Sequence, residues 1–236
     1  MRFNIYIGFA QPDEWQGAAE MYARHAQRFE EASGGVPCFV LPYYHVTPEL
    51  MQHLAPQAVV MSGFGRSFQD YEVATFFGIA EWVLSARTPT LALCGSHQLL
   101  GFIFNQDIRR VERLHDEPMR LLRPGEPVTN PDYHPEYFME RGFYRLDLTD
   151  AGRSDPLFAG FDAAPILYES HYCEIKTLPQ GFQLLASTPE CRIQAMRHLH
   201  RTLYGLQCHP EGYSERFADG QRVLQNFFRL AAEANS

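Results

Sequence analysis

The chain has 236 residues, and its 20 Lys and Arg against 28 Asp and Glu give a formal net charge of −8. This acidic balance argues against a nucleic-acid-binding protein or a basic membrane-surface module. No apolar stretch approaches the roughly 18 residues of a membrane-spanning helix. The five cysteines are odd in number and form no C-x-x-C pair, which argues against a disulfide framework or a zinc ribbon. We therefore expect a cytoplasmic globular protein that contacts neither nucleic acid nor membrane and holds no metal or cofactor.

The first half of the chain alternates strand-like and helix-like patterns. Short β-rich or apolar runs lie at residues 3–9, 36–41, 58–61 and 90–93. Between them, apolar residues recur at intervals of three and four over residues 13–32, with further helices predicted near 48–54 and 71–85. Strands separated by helices imply right-handed crossovers and a parallel sheet covered on both faces. The predicted fold class is α/β: an open, mostly parallel sheet flanked by helices on both faces.

The second half changes character. Residues 109–141 are rich in proline, charged residues and tyrosine, and we interpret them as a long capping or functional insertion. After it, short strands are predicted at residues 142–148, 166–168, 172–176, 183–187, 193–197 and 202–207, followed by a helix over 215–232. The composition marks no domain boundary, so we expect a single domain over 1–236 that carries this insertion.

One segment has the pattern of a nucleophile elbow. An apolar strand runs directly into Cys94, with small residues around it and a predicted helix after it. A sharp strand-to-helix turn strains the nucleophile's backbone and needs small neighbours. It also places the thiol at a helix N-terminus, where the helix dipole and free N–H groups stabilise thiolate. Taken alone, the segment fits a buried structural cysteine as well.

A second segment supplies a base. An apolar strand ends at His209, and Glu211 follows two residues later, with Pro210 fixing the backbone between them. A carboxylate on one imidazole nitrogen sets the tautomer and leaves the other nitrogen to take a thiol proton. An isolated His-Pro-Glu also fits an ordinary surface turn. Its occurrence together with a cysteine elbow in a parallel-sheet pattern favours a catalytic pair.

These segments resemble the class I, triad-type glutamine amidotransferases. That family's signature is an apolar strand, a G-x-C-x-G-x-Q elbow, and a late strand that ends in H-P-E. Three further matches occur in the family's order, and the resemblance covers nearly the whole chain. They are the glycine-bearing turn at 62–65, the Ser-His pair at 170–171, and the L-P-x-G-F run at 178–182 that precedes Leu-Ala-Ser at 185–187.

The resemblance implies a flavodoxin-like amidotransferase fold and a cysteine-dependent reaction. Cys94 would attack the side-chain amide of glutamine and form a γ-glutamyl thioester. His209 would act as base and then as acid to the leaving ammonia, and Glu211 would orient it. The matched positions also imply an oxyanion hole made by Gly63, Phe64 and Gly95, and a substrate pocket that includes Gln98, His171 and Tyr172.

The sequence departs from the family pattern at several positions. Ala92 and Ser96 replace two glycines of the elbow, and Phe64 stands where a second loop glycine is usual. These residues are small, or act only through their backbone, so the elbow and the oxyanion hole remain feasible. No synthetase module fits in the remaining chain, so ammonia would have to pass to a partner enzyme on another polypeptide.

Two alternatives stay open. The first is a stand-alone hydrolase of other γ-glutamyl amides or peptides, which the 109–141 insertion could favour by enlarging the pocket. The second is a non-catalytic regulatory member that uses the fold for binding. The intact cysteine, histidine and glutamate set argues against the second.

Overall fold

The computed structural model describes residues 2–161 and 163–234 of the chain. The strands are Asn4–Gly8 (β1), Cys38–Pro42 (β2), Ala58–Met61 (β3), Thr90–Leu93 (β4), Glu140–Arg145 (β5), Asp147–Leu148 (β6), Ile166–His171 (β7), Phe182–Ser187 (β8), Ala195–His198 (β9) and Leu203–Leu206 (β10). The α-helices are Trp15–Ala32 (α1), Pro48–Leu54 (α2), Phe77–Ser85 (α3), Gly95–Asn105 (α4), Asp150–Ser154 (α5) and Asp219–Ala234 (α6).

Eight strands form one open sheet in the order β2-β1-β3-β4-β10-β9-β8-β6. The five strands from β2 to β10 run parallel to one another, and β9, β8 and β6 continue the sheet in antiparallel pairs. Strands β5 and β7 form a separate antiparallel ribbon. The α/β class and the mostly parallel open sheet predicted from the sequence are therefore confirmed.

Two apolar layers enclose the sheet because successive strand residues point to opposite faces. In β1, Ile5 and Ile7 contribute to the core cluster that contains residues of α2, α3 and α4. Tyr6, between them, joins the other cluster, which contains residues of α1 and α6. A strand buried on both faces reads as a continuous apolar run, as the sequence pattern of the parallel strands indicated.

Four predicted elements differ in the structure. The strand predicted over 142–148 divides into β5, which belongs to the ribbon, and β6, which belongs to the large sheet. Residues 172–176 form no strand; Cys173 makes only an isolated bridge to Pro118, and the segment reads as apolar because its residues line the site and the core. The helix predicted over 71–85 divides into a 3₁₀ turn at Val73–Phe76 and α3. The last helix begins at Asp219 rather than at 215, because the preceding residues form a turn in which the Phe217 N–H donates to the Ser214 carbonyl at 3.1 Å.

The 109–141 insertion is irregular but is held in place by charge. The Arg120 guanidinium lies between the carboxylates of Glu126 and Glu190, with nitrogen–oxygen distances of 2.7 Å to each. Residues 127–129 at its tip are exposed. Among the described residues, no helix is both long and apolar enough to cross a bilayer.

The sheet brings distant segments to one edge. Strands β4 and β10 pair in parallel with Leu93 opposite Leu206, so both end at the same level. Strand β3 pairs with β4 on its other side. The residues that follow these three strands therefore meet at their carboxyl ends, the usual place for a ligand site in an open α/β sheet.

Candidate active site

Cys94 occupies the strained turn between β4 and α4. Its backbone dihedrals are φ 49° and ψ −111°, a region that costs free energy for any residue with a side chain. Ser96 holds the turn together, because its hydroxyl accepts from the Leu93 N–H at 2.8 Å and lies 2.8 Å from the Met61 carbonyl. The serine that replaces a family glycine thus ties the elbow to β3.

The His209 imidazole lies beside this elbow, on the segment that follows β10. The Cys94 N–H donates to the Leu206 carbonyl at 2.8 Å, and the His209 N–H donates to the Tyr168 carbonyl at 2.7 Å. His209 Nδ1 is 2.8 Å from Glu211 Oε1. Glu211 is 2 % exposed, so its carboxylate fixes the imidazole and leaves Nε2 free for the thiol.

Electrostatics favour an ion pair at these two groups. Burial lowers the pKa of His209, but the negative charges of Cys94 and Glu211 outweigh it and raise that pKa well above its usual range. Burial alone would raise the pKa of Glu211; the neighbouring His209 charge turns the net shift downward. The site therefore favours an imidazolium at His209, held between Cys94 and the Glu211 carboxylate.

The loop after β3 faces the thiol with glycine and an aromatic ring. A Cβ on Gly63 would lie 3.0 Å from His209 Cε1 and 3.3 Å from Cys94 Cβ, and a Cβ on Gly95 would lie 2.7 Å from the Phe64 ring. The Phe64 ring stacks on Phe9 at 4.4 Å, which anchors the loop. Backbone N–H groups of this loop, with the first N–H of α4, can converge on an oxyanion.

A cavity of about 210 Å³ opens above Cys94. The 109–141 insertion forms much of its wall, with Asp116, Asn130, Tyr133, Met139 and Arg141. The sequence predicted a capping role for the insertion but did not single out these side chains. The cavity is thus lined by two guanidiniums, those of Arg66 and Arg141, and by the carboxylate of Asp116. Opposite charges around one small cavity match a zwitterionic ligand.

The three predicted substrate residues line this cavity, and the side chains of all three hydrogen-bond to other residues of the protein. Gln98 Nε2 donates to the Cys173 carbonyl at 3.0 Å and to Gln207 Oε1 at 3.1 Å. The Tyr172 hydroxyl bonds to Asp116 and lies 3.1 Å from Ser67 Oγ. The amide nitrogen of Gln98 is thus occupied, and only its Oε1 remains to meet a substrate.

His171 belongs to a buried charged cluster. Its Nε2 lies 3.0 Å from Glu140 Oε2 and 3.3 Å from Glu169 Oε2, and its Nδ1 lies 2.9 Å from the Cys173 carbonyl. These carboxylates and the imidazole are also the group of described residues whose ligand atoms could hold a metal ion. Every polar atom facing the ring is an acceptor, so the arrangement fits an imidazolium without a metal.

Sequence reasoning missed one contact to the Cys94 thiol. Gln207 Nε2 lies 3.6 Å from Cys94 Sγ, and Gln207 is completely buried. Its place directly after β10, level with the elbow after β4, was readable from the strand pattern. Glutamine in an apolar strand context carries no catalytic signal by itself, which is why the residue did not stand out.

The chain matches known proteins over most of its length. The family model for class-I glutamine amidotransferases covers residues 21–231. The glutamine-hydrolysing GMP synthase subunit of Pyrococcus furiosus is 26 % identical over 201 residues, which are 84 % of this chain and 88 % of that protein. This chain belongs to the class I glutamine amidotransferase family, and is accordingly a cysteine-dependent glutaminase.

Solved structures show the same fold. A Thermoplasma acidophilum protein described as a GMP synthase subunit superposes with a TM-score of 0.65 at 20 % identity, over 100 % of this chain and 96 % of that one. The glutaminase domain of Trypanosoma brucei CTPS also gives 0.65, at 16 % identity, over 98 % and 94 % of the two chains.

Proposed function

We propose that Cys94, His209 and Glu211 form the catalytic triad with which this chain hydrolyses the side-chain amide of glutamine. The observation that carries the proposal is the meeting of a thiol at a strained helix N-terminus with a half-buried His209 that is paired with the buried Glu211. A thiolate is the nucleophile that such an elbow presents, and an oriented imidazolium is the acid that the leaving nitrogen needs.

The reaction then proceeds in two steps, formation of a thioester and its hydrolysis. The Cys94 thiolate attacks the amide carbon, and the developing oxyanion accepts N–H bonds from Gly95 and from the Gly63-Phe64 turn. His209 gives its proton to the nitrogen, the C–N bond breaks, and ammonia leaves a γ-glutamyl thioester. A water molecule, deprotonated by His209, attacks the thioester and releases glutamate and the thiolate.

We assign the substrate's α-amino and α-carboxylate groups to the wall of the cavity. Asp116 supplies a negative charge for the ammonium group, and Arg141 supplies a positive charge for the carboxylate. Gln98, His171 and Tyr172 complete the same wall, so the insertion and these three residues together select the γ-glutamyl compound that fits.

The ammonia passes, in this proposal, to a synthetase on a separate polypeptide. Relatives named as single subunits of GMP synthase support this arrangement, since the name itself denotes one component of a larger enzyme. The chain also matches 33 % of the length of a Clostridium perfringens GMP synthase, a protein long enough to contain other regions.

Glutamate release from glutamine by the purified chain tests the triad. Cys94→Ala should abolish it, whereas Cys38→Ala, which removes a cysteine on β2, should leave it unchanged. Equal turnover by wild type and Cys94→Ala would refute the assignment. Added synthetase candidates that raise the turnover would identify the partner.

A second candidate is hydrolysis of γ-glutamyl amides with larger leaving groups. The observation in its favour is a cavity of about 420 Å³ on the far side of the Gly63 loop, lined by His209, Glu211 and residues of α1 such as Met21. It lies next to the acid that would protonate a leaving amine. Turnover of γ-glutamyl alkylamides without turnover of glutamine would favour this candidate.

A further inference from the structure

A buried chain of hydrogen bonds runs from the nucleophile into the protein. Gln207 Nε2 faces Cys94 Sγ at 3.6 Å, Gln207 Oε1 accepts from Gln98 Nε2 at 3.1 Å, and Gln98 Nε2 also donates to the Cys173 carbonyl at 3.0 Å. His171 Nδ1 lies 2.9 Å from that same carbonyl. Gln207 is completely buried and Gln98 is 8 % exposed, so solvent takes little part in these contacts.

The order of donors and acceptors fixes which end of Gln207 meets the sulfur. A backbone carbonyl can only accept, so Gln98 must present its NH₂ group to Cys173. That same NH₂ group reaches Gln207, which must therefore present its oxygen to Gln98. The NH₂ group of Gln207 is left to point at Cys94. The reverse orientation of Gln207 would place an oxygen against the sulfur and an NH₂ group against another NH₂ group.

Ionic contacts anchor the far end of this series of hydrogen bonds, which is His171. Both ring nitrogens of His171 face acceptors, the Cys173 carbonyl on one side and the carboxylates of Glu140 and Glu169 on the other. Both nitrogens therefore carry protons, and the Nδ1 proton goes to Cys173. Glu140 accepts hydrogen bonds from Thr188 Oγ1 and Gln194 Nε2, at 2.6 Å each. The carboxylate that holds His171 is therefore fixed in its orientation.

We propose that Gln207 is a further catalytic residue, which donates an N–H hydrogen bond to the Cys94 thiolate, and that Gln98 and His171 are positioning residues that hold its amide in the donating orientation. The inference rests on the proposed role of Cys94 as nucleophile. Charge-assisted hydrogen bonds are stronger than neutral ones, so this donor stabilises the thiolate from the side opposite to solvent, independently of His209.

Alkylation of Cys94 by iodoacetamide between pH 5 and 9 tests the proposal without any substrate. For Gln207→Met, which keeps the length of the side chain and removes the donor, we expect the rate at pH 7 to fall about tenfold, with the midpoint of the pH profile about one unit higher. Gln98→Met should move the midpoint in the same direction. Asn226→Leu, which removes a buried amide in α6, should not move it.

A second measurement does not depend on the folding of any Gln207 variant. The side-chain amide resonances of Gln207, observed by ¹⁵N NMR, should shift as Cys94 titrates in the wild type and should stay still in Cys94→Ala. The proposal would be overturned by an unchanged alkylation profile in Gln207→Met, or by Gln207 amide resonances that do not shift as Cys94 titrates. Failure of the proposed function would look different: a thiol that responds to Gln207 but no glutamate release.

Discussion

Three histidines in and around the site, His97, His171 and His209, hold different charges because their immediate partners differ. His97 donates to one backbone carbonyl, of Ile193, and burial lowers its pKa to about 3. For His171, burial also lowers the pKa, but the two carboxylates outweigh it and raise the pKa to about 10. His209 lies between a thiol and a carboxylate. Residue type alone predicts none of this, since the charge follows from which acceptors the fold brings to each ring.

The pH dependence of catalysis should follow the charge on Glu211. The Glu211 carboxylate raises the pKa of His209, so removal of that charge lowers it. In Glu211→Gln the alkaline limb of the kcat/KM profile should therefore move to lower pH, together with a loss of activity of about a hundredfold or more. Glu49→Gln, at an exposed site on α2, should leave the profile in place. An alkaline limb that stays fixed in Glu211→Gln would exclude the pairing from catalysis.

At the scale of elements, the loop after β3 lies against the Cys94 and His209 side chains, and the insertion lines the cavity above Cys94. The loop is shaped by two neighbouring glycines with different surroundings. A Cβ on Gly63 would press on His209 and Cys94, whereas nothing lies within 4 Å of a Cβ on Gly65.

Gly63→Ala should lower kcat by about tenfold or more, because the added methyl group displaces His209 or the sulfur from its position. Gly65→Ala introduces the same group into open space and should keep kcat within about twofold. Measured kcat values and melting temperatures for the two variants make the comparison. Equal activity of both would show that the Gly63 contact with the triad is not needed.

The insertion should control affinity rather than chemistry. Arg141 lines the cavity, and its loss removes the positive charge that we assign to the substrate carboxylate. Arg141→Ala should raise KM for glutamine about tenfold or more, with a smaller effect on kcat. Arg145→Ala, at the end of the same strand, serves as the control because its guanidinium bonds to the Ala164 carbonyl outside the site. A KM shared by both variants and the wild type would refute the assignment.

Local patterns predicted those parts of the site that lie at strand ends. Cys94 and His209 follow apolar runs, so strand pairing alone brings them to one edge of the sheet. Asp116, Arg141 and Glu140 come from the irregular insertion and its border, where no periodicity reports the path of the chain. The strand predicted at residues 172–176 is wrong for a related reason. These residues line a pocket wall and the core, and an alternating apolar pattern does not distinguish such a wall from a pleated strand.

At the scale of the whole molecule, the surroundings of the sulfur atom distinguish one cysteine from the other four. All five are free thiols. Burial raises the pKa of Cys38 to about 12, and it raises the pKa values of Cys173, Cys191 and Cys208 as well. Cys94 and Cys173 both line the cavity, but of the five cysteines only Cys94 lies beside the His209 imidazole.

A thiol reagent such as DTNB should therefore react quickly with one equivalent of cysteine in the native protein at pH 7. Cys94→Ala should lose this fast phase, and all five thiols of the wild type should react after unfolding. The absorbance of the released chromophore measures each phase. Two or more fast equivalents in the native wild type would show that burial does not protect the remaining cysteines.

The side-by-side pairing of β4 and β10 has a consequence for dividing the chain. Cys94 belongs to the part before the insertion and His209 to the part after it, and the exposed stretch 127–129 lies between them. Cleavage there would sever the polypeptide and leave the ladder between the two strands, and the contact of α1 with α6, intact. Two separately expressed fragments should thus reassemble into one working centre, which glutamate release from the mixed fragments would report.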